Sequence, residues 1–93
     1  MRNEIKELEL KLRSIVGNNN AYLSEILNEE TRTRLRNDCL NCFKEIFGNN
    51  ALELIDIRIA DYNTYVVVEF INKETGRSLS MLRDLEKVLF NSN

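Results

Sequence analysis

Three groupings of side chains in this chain have types and spacings that could do chemistry. The first is Asp56 with Glu69, which fall in two apolar runs, Leu54-Ile-Asp-Ile-Arg-Ile59 and Tyr65-Val-Val-Val-Glu-Phe-Ile71. On neighbouring strands, two carboxylates can hold a divalent ion that activates water, with Lys73 close behind to steady the charge. The second is Cys39-Leu-Asn-Cys42, a spacing suited to thiol–disulfide exchange or to half of a metal site. The third is Thr31-Arg-Thr-Arg-Leu-Arg36, the densest basic run, which could meet phosphates.

Each grouping also has a plainer reading. The Asp56 and Glu69 pattern loosely resembles the restriction-type nucleases, in which a strand aspartate precedes a second-strand Glu-x-Lys. That resemblance implies metal-dependent cleavage, yet the residue two places after Glu69 is Ile71 rather than lysine. Polar residues on a wet sheet face are the simpler account. A redox cysteine needs a helix N-terminus to lower its pKa, whereas Cys39 falls in mid-helix on an apolar face. A tetrahedral zinc site needs four ligands, and the chain offers two cysteines and no histidine, so only a site shared between two copies would fit. Two small buried hydrophobes one turn apart are the expectation.

On a helix, Arg32 and Arg36 share a face while Arg34 points nearly opposite, and Glu29, Glu30 and Asp38 sit close by. Local ion pairs are therefore expected in place of a basic stripe. If the domain touches nucleic acid, the contacts would come from Arg32, Arg36 and Lys44, or from Lys73 and Arg77 at the second turn. The glycines Gly17, Gly48 and Gly76 are too far apart to form a phosphate loop.

Composition limits the remaining classes. The chain has 93 residues, enough for one domain (1–93) and one core, and small cores of this size gain from oligomerisation. A net charge of −2 with mixed signs gives no global field toward nucleic acid or an anionic membrane. No apolar stretch approaches a membrane span, and the opening residues read as a charged helix rather than a signal peptide. A cytoplasmic location, no membrane contact and no cofactor are expected. Two cysteines are too few for a disulfide framework, which agrees with a reducing compartment.

The elements that must position these groups follow from periodicity. Ile5, Leu8, Leu12 and Ile15 mark an amphipathic helix with Glu7–Lys11 and Glu9–Arg13 pairs outside the stripe, stopping at Gly17. A short turn from Ala21 to Leu27 precedes Asn28, which reads as an N-cap before Glu29 and Glu30. The next helix, to Phe47, carries Leu35, Cys39, Cys42, Phe43, Ile46 and Phe47 on one face. Ile55, Ile57 and Ile59 share a face of the first strand, while Leu52 and Leu54 are out of phase, which implies a bulge or a late start. The second strand, apolar on both sides, reads as covered on both faces. Lys73-Glu-Thr-Gly76 forms a turn, Arg77 to Leu79 a candidate third strand, and a helix from about Ser80 buries Met81, Leu82, Leu85, Val88 and Leu89.

The fold expectation is α+β, with N-terminal helices, a β-hairpin extended by a short third strand, and a C-terminal helix in two layers. A lone hairpin is marginal in water, so the sheet must be covered by helices, extended, or paired with another copy through its edges or through the first helices. The functional expectation is a small non-catalytic binding or regulatory protein that works through protein contacts as a homodimer. Inhibitors and accessory factors of viruses and mobile elements commonly have this character. Tyr62, Tyr65, Arg58 and Arg77 are the candidate partner-binding residues, since aromatics flanking a hairpin turn suit an interface.

Overall fold

Local side-chain chemistry sets the element bounds. The computed structural model describes residues 2–17, 28–62 and 65–90, with the backbone alone at 62 and 65. Helix α1 (Asn3–Gly17) buries Ile5, Leu8 and Leu12. Its Glu7–Lys11 and Glu9–Arg13 pairs form at 3.1 and 3.7 Å. Helix α2 (Glu29–Phe47) is capped by Asn28, whose Oδ1 accepts from the Thr31 N–H at 2.8 Å. It ends at Gly48, whose N–H donates to the Lys44 carbonyl at 2.8 Å. Gly48 has φ 88° and ψ 170°, a region that essentially only glycine occupies.

A 3₁₀ turn at Asn49–Glu53 then separates α2 from strand β1 (Ile55–Tyr62). The late strand start explains why Leu52 and Leu54 are out of phase with the isoleucines. Strand β2 (Tyr65–Asn72) pairs antiparallel with β1, setting Ile57 opposite Phe70 and Ile59 opposite Val68. The Asn72 side chain accepts from the Glu74 N–H at 2.9 Å, and Gly76 takes φ +74°. This turn returns the chain to a two-residue strand β3 (Ser78–Leu79), opposite Ile71 and Phe70. Helix α3 (Leu82–Phe90) closes the fold.

One core joins all three helices to one face of the sheet. Ile5, Leu8, Leu35, Cys39, Phe43, Ile55, Ile57, Ile59 and Leu85 are at most 2% exposed. The Phe43 ring lies 5.0 Å from Phe47 and 6.1 Å from Phe70, so α2 and β2 meet through aromatic contact. Phe47 reaches Phe90 of α3 at 5.8 Å, and the Arg2 guanidinium covers the other end of that contact, 3.9 Å from the Phe90 ring. Full burial of each isoleucine of β1 contributes about 1.5–3 kcal/mol, which makes that strand the anchor of the core.

Two expectations change. Among the described residues, helices cover β2 on one face and not the other. Val67 and Ile71 are half-buried and do not join the core cluster, because the three helices of the described residues all pack on the opposite face. Met81 is 53% exposed, since the chain leaves the sheet at Ser80 and helix α3 begins one residue after Met81. Leu10 is also exposed, at 66%. The short turn expected from Ala21 to Leu27 lies outside the described residues. Among the described residues, no helix is long and apolar enough to cross a membrane.

Cys39 and Cys42 are free thiols buried in α2, as small hydrophobes would be. Burial, with Cys42 and then Asp38 nearby, pushes the Cys39 thiol from its ordinary value of 9.0 up to about 12. Burial also raises Cys42. Unfolded Cys39 loses its proton near pH 9 and the folded thiol keeps it, so this contribution to stability is complete below pH 9 and declines as pH rises toward 12. Urea denaturation of wild type and Cys39→Ala between those limits should show the wild type losing stability more steeply, by up to about 1.4 kcal/mol per pH unit. Gly48→Ala should cost about 1–3 kcal/mol in the same assay through backbone strain alone, because a Cβ there would meet nothing within 4 Å.

Candidate functional site

Antiparallel register decides which backbone groups of the hairpin face outward. Asp56 pairs with Ile71 and Arg58 with Glu69, and the Lys73 N–H donates to the Leu54 carbonyl at 2.9 Å. Even-numbered residues of β1 therefore bond to β2, and the N–H and C=O groups of Ile57 and Ile59 point to the free edge. Helix α2 fills that edge with side chains. Arg36 Nε donates to the Ile57 carbonyl at 2.9 Å, and Arg32 Nη1 donates to the Ile59 carbonyl. Asp56 Oδ1 accepts from Arg36 Nη2 at 2.7 Å and from the Ile57 N–H at 2.8 Å. Arg32 also pairs with Asp61 at 3.6 Å. Unpaired strand edges template association, and here charged groups occupy the hydrogen-bonding positions instead.

The opposite edge of β2 is only partly filled. Strand β3 pairs with Phe70 and Ile71 and then turns away, a turn held by Ser80 Oγ on Asp84 Oδ2 at 3.0 Å. The outward groups of Val66 and Val68 meet no donor or acceptor among the described residues. Below them lies a groove of about 350 Å³ lined by Leu12, Val16, Val68, Phe70 and Leu82, with the ion-paired Glu9 and Arg13 of α1 also on its wall. The helix-free face of the sheet carries a different surface. There Arg58 donates to Glu69 Oε1 from Nε at 2.9 Å, and Ser78 Oγ meets Glu69 Oε2 at 3.4 Å. Ala60 pairs with Val67 beside this polar row.

The candidate residues fall into place around these surfaces. Asp56 and Glu69 are each held by an arginine, Arg36 and Arg58 respectively. Among the described residues, no three histidine, cysteine or acidic groups come close enough to hold a metal ion. Arg32 and Arg36 turn their guanidinium groups to β1. Lys44, two helical turns beyond Arg36, and Lys73, at the far end of the hairpin from Arg32, are exposed and form no common patch with them. Arg58 lies on the helix-free face and Arg77 is exposed next to β3. Tyr62 and Tyr65 are opposite one another in register at the hairpin end, and their side chains lie outside the described residues. Sequence reading missed the outward groups of Val66 and Val68. The detectable signal was the shortness of the third strand against an eight-residue second one.

The chain matches no protein-family model, no curated protein and no solved structure.

The Arg32 and Arg36 contacts are half-exposed, so each is worth on the order of 1 kcal/mol or less. Replacing both by alanine should lower stability by roughly 1–2 kcal/mol. More tellingly, it should speed exchange of the Ile57 amide, whose acceptor Asp56 Oδ1 is held by Arg36, and produce concentration-dependent association in sedimentation. Exchange unchanged from wild type would show that the arginines do not protect the edge.

Proposed function

We propose that this chain is a small non-catalytic binding or regulatory protein that acts through protein contacts and self-associates through the helix-free face of its sheet. The observation that carries the reading is one-sided cover. Val67 and Ile71 lie outside the core cluster and face away from all three helices of the described residues. Apolar side chains left outside a core, bordered by a satisfied polar row such as Arg58, Glu69 and Ser78, have the make-up of an interface centre with its rim. A partner sheet or helix laid there would cover Val67 and Ile71 while Arg58 and Arg77 remain at the margin.

Arg32 and Arg36, which reach the β1 edge from α2, favour the face over that edge as the route of self-association, since edge pairing would have to displace them and Asp56. The same engagement draws Arg32 and Arg36 away from phosphate contact and supports protein over nucleic acid as the partner. Light scattering at micromolar concentration should give twice the monomer mass for wild type. Val67→Lys with Ile71→Lys should give the monomer, with the circular dichroism spectrum retained because neither residue packs on the core. A wild-type monomer would remove the claim.

A further inference from the structure

Among the described residues, the lane beside β2 is unfilled once β3 has turned away. Strand β3 occupies this lane opposite Phe70 and Ile71, and its continuation would have set Ser80 and Met81 opposite Glu69 and Val68. Instead Ser80 bonds to Asp84 and the chain enters α3. Two features then coincide. The N–H and C=O groups of Val66 and Val68 point into the lane with no partner among the described residues. The lane also borders the apolar groove of Leu12, Val16, Val68, Phe70 and Leu82.

We propose that this lane is a docking site for an extended peptide segment of a partner protein, which adds a strand beside Val66–Val68 and seats alternate apolar side chains in the groove. An extended backbone is the ligand whose donors and acceptors repeat at the spacing these four groups require, and period-two side chains are what a groove on one face of the lane selects. A helix satisfies its own backbone and would leave the edge groups unpaired. A second copy fits poorly. The free stretch is short, and a second copy would bring its own β3 and α3 to flank the same stretch, which a lone peptide does not carry. The inference rests on the reading of this chain as a protein-binding module, but uses a surface distinct from the helix-free face.

The probe is a phage-displayed library of random linear dodecapeptides selected on the full-length protein, with selected peptides synthesised for titration and amide exchange by NMR. In the free protein the Val66 and Val68 amides should exchange fast, and saturating peptide should protect both by at least about tenfold. Selected sequences should alternate apolar residues. Val66→Pro removes one outward donor at an edge position that tolerates proline, and should weaken binding about tenfold. Leu82→Glu, which replaces part of the groove's apolar wall with a carboxylate and leaves the edge backbone intact, should weaken it likewise and decides the matter if Val66→Pro does not fold. Val67→Lys, on the other face, should bind as wild type. Peptide binding retained in a chain that scatters as a monomer would separate the fate of this site from that of the proposed dimer. The proposal fails if the library yields no binder, if the two amides are already protected in the free protein, if their protection tracks protein concentration, or if peptides protect another surface.

Discussion

The contact on which the rest of the structure depends is the seating of α2 against β1. Its apolar half is direct: Leu35, Cys39 and Phe43 on the helix and Ile55, Ile57 and Ile59 on the strand are all fully or almost fully buried. Its polar half rests on a coincidence of spacings. Residues four apart on a helix rise about 6 Å, and residues two apart on a strand advance about 6.6–6.8 Å. Arg32 and Arg36 can therefore reach two successive outward carbonyls, Ile59 and Ile57, as long as the helix runs against the strand direction. Shifting the strand by one residue would point these carbonyls at β2 and turn the isoleucines to solvent. The arginines and the isoleucines thus demand the same register.

That shared demand makes the two sheet edges unlike one another. The β1 edge is closed by side chains from α2, with Asp56 serving both Arg36 and the Ile57 N–H. Among the described residues, the β2 edge is closed by backbone, where β3 reaches it. Side-chain closure needs no extra strand, which suits a chain with few residues to spend on sheet. It also engages Arg32 and Arg36, two of the four basic groups of α2, while Arg34 and Lys44 stay exposed on the helix and Lys73 and Arg77 lie apart at the second turn.

Much of the fold was legible because local rules and burial pointed the same way. Asn28 before two glutamates, the stripe of α1, the apolar second half of α2 and the alternation of β1 all appear where the residue types put them. The candidate sites were less legible, for a definite reason. A helical arginine pair four residues apart looks the same in sequence whether it faces phosphate, water or the carbonyls of a strand twenty residues away. Asp56 likewise reads as a metal ligand until its neighbour across the helix interface is known. The double-sided apolar character of β2 was visible, but whether a helix covers the second side depends on how many elements the chain has and on where its turns send them. The Ser80 turn, too short to be an obvious breaker, sends α3 back to the core, so that among the described residues no helix lies over the half-buried Val67 and Ile71.

The same turn explains why openness is concentrated on β2. A strand that pairs on one side along its full length and on the other for only two residues has its weakest cover where that second pairing ends. Local stability follows the number of buried contacts and satisfied backbone groups, so the stretch from Val66 to Val68 sits at the low end for the sheet while β1 sits at the high end. Extending β3 by four residues, to set Arg83 opposite Val66, would satisfy the edge, but would pull Leu82 and Leu85 away from the core cluster that α3 completes. Packing of α3 is worth more to so small a domain than further strand pairs, since burial of a leucine contributes about 1.5–3 kcal/mol against about 1 kcal/mol for a hydrogen bond. The open edge is thus what remains when the core takes precedence, and its position is fixed by where the chain must leave the sheet.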